Sequence, residues 1–230
     1  MEFLPNGFTL ELAPGSFPLS TDSMALAHFA KLPKNARVLD LGSGCGTLGL
    51  LLCSRDEHCT VTGMELDEAA HFMALENIRR NGLSTRMDSV CTDLRSVSER
   101  FSPGSFSVCI SNPPYFSGGP SSKTTPLARR EDFCPPADLF AAASFALKYG
   151  GDFFLVHKPE RLAELVVKGA AQKLEAKRLC LLRHKEGGPV ALILLQFRKG
   201  AKPGLIWEEM ILHNPDGTPT AVYRDIYHIK

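Results

Sequence analysis

Three short constellations hold residues whose types and spacing could do chemistry. The first is Val38-Leu39-Asp40-Leu41-Gly42-Ser43-Gly44-Cys45-Gly46, an apolar run carrying one acid and ending in alternating glycines. Glycines directly after a buried strand permit a tight turn and close approach of a ligand at the start of the next helix. Gly44, Gly46 and Gly49 also spell G-x-G-x-x-G, the dinucleotide spacing, but the turn begins at Gly42, so Gly49 falls inside the following helix. The pattern that fits strand and turn together is D-x-G-x-G-x-G. Asp40 stands in an apolar strand, where a carboxylate without a task is costly to bury. The second constellation is Glu65, closing the run Val61 to Glu65 about twenty residues after the glycines, where a carboxylate accepts both hydroxyls of a ribose. Any nucleoside cofactor carries such a ribose, so Glu65 alone does not choose among them. Asp67 beside it serves equally well as a helix N-cap, and Asp93, ending Cys91-Thr92-Asp93, lies on the same edge.

The third constellation is Ser111-Asn112-Pro113-Pro114-Tyr115-Phe116, immediately after the run Phe106 to Ile110. Consecutive prolines freeze an extended backbone where a strand ends. They hold the Asn112 side-chain oxygen and the Pro113 carbonyl in fixed directions, with an aromatic ring beyond them. That arrangement suits a planar amine. An exocyclic amine is a poor nucleophile because its lone pair is spread into the ring. Two acceptors holding its hydrogens favour pyramidalisation and stabilise the positive charge that develops on nitrogen. Tyr115 offers a face for the base, a contact of about 1–3 kcal/mol.

D-x-G-x-G-x-G at Asp40 to Gly46 resembles motif I of the class I S-adenosylmethionine-dependent methyltransferases, and N-P-P-Y at 112–115 resembles motif IV of the amino methyltransferases, which act on adenine amines or glutamine amides. The pairing of the two removes a nicotinamide dehydrogenase from consideration. Gly7-Phe8, Ser20 to Ala27, Glu76 to Leu83, Ala128-Arg129-Arg130-Glu131, Gly150-Gly151, Val156 to Leu162 and the closing Asp216 to Tyr227 are similar to the bacterial tRNA1(Val) adenine-N6 methyltransferase group. The resemblance spans nearly the whole chain. It implies that Asp40, Gly42, Gly44 and Gly46 cradle the amino-acid end of S-adenosylmethionine. Glu65 then holds its ribose and Asp93 its adenine amine, and the product is S-adenosylhomocysteine. Asn112, Pro113, Pro114 and Tyr115 are the expected catalytic set, with Asn112 also touching cofactor. Tyr115, Phe116, Arg129 and Arg130 are the expected substrate contacts. No metal is required, and no general base either, since the amine can lose its proton to solvent after transfer. A release-factor-type glutamine methyltransferase, a guanine-amine rRNA methyltransferase and an idle binding protein on the same fold are the rivals. About 35 residues stand before motif I in this sequence, so a separate helical recognition domain of the glutamine enzymes is not expected.

The elements that must position these residues read as a doubly wound α/β domain, the Rossmann-like sheet of class I methyltransferases. Strands are predicted at 37–41, 60–65, 87–91, 106–110, 153–157, 178–182 and 190–197. Helices are predicted at 47–55, 68–81 (closed by Gly82), 138–149 and 160–174. No helix separates the last two strands, so they should form an antiparallel hairpin at one edge of a mostly parallel sheet. A strand and helix segment, 1–35, precedes the methyltransferase domain, 36–200, and an extension, 201–230, follows it. In the extension Ile206, Trp207 and Met210 are expected to pack on the domain. A long polar loop, 117–136, reads as a substrate lid.

Composition supports this reading without deciding it. The chain has 230 residues, a net charge of +1 and 44% hydrophobic residues, so it can bury roughly three quarters of its unfolded surface in one core. Its seven cysteines are odd in number and have no C-x2-C pair, which argues against zinc and fits a reducing cytoplasm. Met1-Glu2-Phe3-Leu4-Pro5 lacks a basic region followed by an apolar stretch, so no signal peptide is expected, and no membrane span either. The near-zero charge argues against indiscriminate DNA or RNA binding. Locally, residues 56–76 hold six acids and no Lys or Arg, whereas 148–200 hold eleven Lys/Arg against five acids. An RNA substrate, tRNA above all, is therefore permitted; DNA is not expected.

Overall fold

In this computed structural model, which describes residues 1–4, 7–16, 18–114 and 135–228, alternate strand residues divide between two buried cores. Val38, Val61, Val108, Ile110, Phe154, Val156, Leu192 and Leu194 face one helical layer. Leu39, Leu41, Met64, Cys109, Phe153, Leu155, Ile193 and Leu195 face the other. A strand buried on both faces reads as a continuous apolar run, as 37–41 and 190–197 do.

The strands are β1 (Glu2–Phe3), β2 (Thr9–Leu10), β3 (Arg37–Leu41), β4 (Thr60–Glu65), β5 (Met87–Cys91), β6 (Phe106–Ser111), β7 (Leu147–His157), β8 (Leu174–Lys185), β9 (Val190–Lys199) and β10 (Ile206–His213). The helices are α1 (Thr21–Phe29), α2 (Thr47–Arg55), α3 (Glu68–Arg80), α4 (Val97–Arg100), α5 (Pro136–Ala146), α6 (Leu162–Ala171) and α7 (Ala221–Tyr227). β1 and β2 pair antiparallel, and the other eight strands form one sheet in the order β10-β8-β9-β7-β6-β3-β4-β5. β9 runs against both its neighbours, and every other pairing in this sheet is parallel. From β3 the chain winds outward through β4 and β5, then returns to β6 on the other side of β3. Such a reversal opens a crevice at the carboxyl ends of the two central strands. The first layer contains α1, α2, α3 and α7; the second contains α5 and α6.

Several expectations change. The helix expected to reach Tyr149 ends at Ala146, and Leu147 already pairs with Phe106. Gly150 adopts φ +77° and a Cβ built on Gly151 would stand 3.0 Å from the Ser107 carbonyl oxygen, so these glycines irregularly start a strand rather than close a helix. The predicted strand 178–182 extends over Leu174–Lys185 because it pairs with β9 from Leu174 to Arg183 and with β10 as far as Lys185. That hairpin forms as expected, but its outer strand is covered: β10 lies parallel along β8. Glu208 and Glu209 interrupt the apolar pattern of 206–213, and Arg178 of β8 answers Glu208 with bonds of 2.7 and 2.8 Å. Met210 is buried as expected of the extension, whereas Ile206 and Trp207 are 60% and 64% exposed. Among the described residues no helix is long and apolar enough to cross a membrane.

Candidate active site

The first and third constellations meet at the central crevice. Leu41 ends β3, Ser111 ends β6, and Ser111 Oγ donates to the Leu41 carbonyl at 2.7 Å. The glycine turn follows Leu41, with Gly42, Gly44 and Gly46 at φ +76°, +54° and +86°, a conformation L side chains rarely adopt. The Gly42 and Ser43 amides both donate to the Met64 carbonyl, which ties the turn to β4. Gly46 caps α2.

Asp40 is 1% exposed, and neither of its carboxylate oxygens has a hydrogen-bond partner among the described residues; the Ser43 hydroxyl beside it is likewise unmet. Burial, and secondarily the charge of Glu65, push the Asp40 carboxyl up to about 8. Buried polar groups are ordinarily satisfied, so unmet acceptors behind a glycine turn fit the ammonium end of a cofactor. Glu65 is prepared differently. Its Oε2 accepts from the Gly44 amide at 2.7 Å and its Oε1 from the Asp67 amide at 2.8 Å. Each carboxylate oxygen has a second lone pair, so the pair is aimed and still able to take ribose hydroxyls. Asp67 caps α3 through the Ala70 amide. Asp93 also caps, and the guanidinium of Arg95 engages both its oxygens, which holds the carboxyl below the usual range.

Asn112 is half-buried, with Pro113 buried behind it. Its Nδ2 donates to Ser23 Oγ of α1 at 3.0 Å. Tyr115, Phe116, Arg129 and Arg130 lie outside the described residues, as does the loop from 117 to 134. The basic excess of 148–200 is mostly not at this edge. Lys148, Lys173 and Lys199 sit at the opposite, amino-terminal edge of the sheet. Arg178, Arg183 and Arg198 are paired with Glu208, Glu209 and Asp152. Lys158, Arg161 and Lys185 belong to the carboxyl edge, Arg161 being paired with Glu164.

Two contributors escaped the sequence reading. Ser43 is the residue between two motif glycines, which is itself a signal. Asn77 is fully buried on α3; its Nδ2 donates to the carbonyls of Cys45 (3.0 Å) and Glu11 (2.8 Å), and its Oδ1 accepts from the Glu11 amide (2.9 Å). It fastens the N-terminal segment to the glycine turn. An asparagine in helical register with buried Ala70, Ala74 and Ile78 was the sign available.

The sheet order, the glycine turn at its reversal and the paired acids Asp40 and Glu65 define a class I S-adenosylmethionine-dependent methyltransferase. The chain belongs to the methyltransferase small domain family, whose model matches residues 19–178. It is similar to a tRNA1(Val) (adenine(37)-N6)-methyltransferase of Bacteroides thetaiotaomicron, 31% identical, with 84% of this chain and 81% of that one covered. Its fold resembles a predicted O-methyltransferase from Agrobacterium tumefaciens (TM-score 0.77, 21% identity, 90% and 96% of the chains). It also resembles the geranyl diphosphate C-methyltransferase of Streptomyces coelicolor A3(2), solved with S-adenosyl-L-homocysteine (TM-score 0.58, 14% identity, 77% and 76%). The cofactor is S-adenosylmethionine.

Proposed function

We propose that this methyltransferase modifies the exocyclic amino group of adenine in tRNA, at the adenosine just 3′ of the anticodon. The observation that carries the reading is Asn112-Pro113 at the end of β6, bonded through Ser111 to the strand that bears Asp40. The names of the relatives support both the base and the position.

When bound, S-adenosylmethionine supplies an electrophilic methyl group and leaves as S-adenosylhomocysteine. Asp40 and the glycine turn take its amino-acid end, with Ser43 as a further hydroxyl partner. Glu65 takes the ribose. Asp93 takes the adenine amine once Arg95, which faces solvent, gives way. Asn112 Oδ1 and the Pro113 carbonyl accept the hydrogens of the target amine and hold its nitrogen in line, so alignment and fixed dipoles supply most of the acceleration. On the sequence pattern, Pro114 stiffens this turn, Tyr115 and Phe116 stack on the base, and Arg129 and Arg130 take phosphates. Among the described residues Cys45, Cys53, Cys59, Cys91, Cys109 and Cys180 are free thiols, which fits work in a reducing cytoplasm.

The test is incubation with unmodified bulk tRNA, rRNA and labelled cofactor, followed by digestion to nucleosides. Label in N6-methyladenosine from tRNA is expected, with Asn112→Ala lowering the rate about a hundredfold or more. Label in guanosine, or in protein glutamine only, overturns the adenine assignment. Near wild-type transfer by Asn112→Ala refutes the mechanism.

A further inference from the structure

We infer that Ser23, in the first turn of α1, is a positioning residue that holds the plane of the Asn112 amide for the target amine. This deepens the amino-methyltransferase reading above and rests on it. Asn112 Nδ2 donates to Ser23 Oγ at 3.0 Å, a contact made across 89 residues of sequence. Ser23 is 7% exposed, so the bond is largely screened from water, where an unmet amide hydrogen is most costly. Ser23 is itself held firmly. Its backbone amide donates to the Ser20 hydroxyl that caps α1, and Met24, Ala25, Leu26 and Ala27 after it are buried in the core.

A side-chain amide is planar, with oxygen and nitrogen on opposite branches and nearly the same shape. In the arrangement seen, Nδ2 donates to Ser23 and Oδ1 lies on the other branch, and only that oxygen can accept a hydrogen from an amine. The Ser23 hydroxyl therefore acts before any substrate arrives, by holding the plane of the amide so that its other branch faces the crevice. It does so from the N-terminal segment, outside both motifs. Ser20 and Ser23 thus divide the work of one turn: Ser20 starts the helix and Ser23 aims the asparagine.

The test compares wild type with Ser23→Ala, Ser23→Thr, Asn112→Ala and the Ser23→Ala/Asn112→Ala pair, using labelled cofactor and bulk tRNA. Ser23→Ala is expected to lower kcat about tenfold, the factor for losing one directional hydrogen bond, while the KM for RNA and the affinity for S-adenosylhomocysteine stay within about twofold. Ser23→Thr, which keeps the hydroxyl, is expected to retain most of the rate. In the Asn112→Ala background Ser23→Ala should change nothing further. Wild-type kcat in Ser23→Ala overturns the inference, as does a fall that is equal in both backgrounds. A second readout does not depend on the substrate. The Asn112 side-chain NH2 signal in a 1H–15N spectrum, identified by its loss in Asn112→Ala, should shift in Ser23→Ala; an unmoved signal overturns the inference alone. Wild type that labels no adenine overturns the adenine reading alone, and the spectrum then decides the role of Ser23.

Discussion

Gly63 of β4 lies so close to Ser43 of the cofactor turn that a Cβ built on it would stand 2.5 Å from Ser43 Oγ and 2.8 Å from Ser43 Cβ. Because both atoms are too near, rotating the hydroxyl is not enough; the turn itself must move. Ser43 is also tied to the next residue of β4, its amide donating to the Met64 carbonyl at 3.0 Å. Gly63→Ala is therefore expected to weaken S-adenosylhomocysteine binding about tenfold or more and to cost about 1–3 kcal/mol of stability by overpacking. Calorimetric titration and urea unfolding measure the two effects; an unchanged affinity would mean that the turn tolerates the shift.

Asp40 makes a pH prediction whose sign follows from its raised carboxyl pKa. The folded protein holds this proton up to about pH 8, whereas an unfolded aspartate loses it near 3.8. The associated stability is thus complete below the lower value and is lost as pH climbs through the higher one. Asp40→Asn removes that loss, so between pH 5 and 8 the ligand-free variant should lose less thermal stability than wild type. A ligand ammonium favours the carboxylate, so S-adenosylhomocysteine binding near pH 7 should release a proton in wild type and none from this site in the variant. Titration heats in buffers of different ionisation enthalpy read it directly, and buffer-independent heats in wild type would contradict it.

Asn77 offers a test of direction. Ala in its place leaves the Glu11 amide and two carbonyls without their bonds, a loss of about 2–3 kcal/mol. Asp keeps the acceptor but aims a buried charge at those carbonyls, so Asn77→Asp should be the worse of the two by chemical denaturation. Equal midpoints for Asp and wild type would show that the N-terminal segment is held elsewhere.

Arg178 should behave as a structural group only. Its guanidinium is bidentate to Glu208, stacks 4.0 Å over Phe29, and bonds Gln196 Oε1 and the Phe29 carbonyl. Truncation to Ala leaves Glu208 without this partner and is expected to cost about 1–3 kcal/mol, while the affinity for S-adenosylhomocysteine, whose proposed site lies at the far strands β3 and β4, stays at the wild-type value. A matched fall in affinity would show that the outer strands support the cofactor site.

The alternation from residue 37 onward was legible because strand and helix periods are local and the core is apolar on both faces of the sheet. The glycine turn and the N-P-P-Y turn were legible for the same reason: glycine and proline act on their own backbone. β10 was not. Its two glutamates look like solvent residues until Arg178, 30 residues away in sequence, pairs with one of them. The start of β7 was read as helix because Leu147 and Lys148 favour helix locally, and pairing with Phe106 overrides that preference.

The patterns from which the proposed site is read, D-x-G-x-G-x-G at Asp40, the acid Glu65 and N-P-P-Y at Asn112, are local, since each needs only a few adjacent residues. How these groups are prepared follows from contacts made in space. Among the described residues, tertiary structure leaves the Asp40 carboxylate without hydrogen-bond partners, aims Glu65 with two amides, and brings Ser23 to Asn112. It also turns most of the basic excess of the C-terminal half away from the crevice or spends it on carboxylates. Burial and hydrogen-bond satisfaction are properties of what surrounds a group in space, and a linear spacing carries them only when the neighbours are also neighbours in the chain.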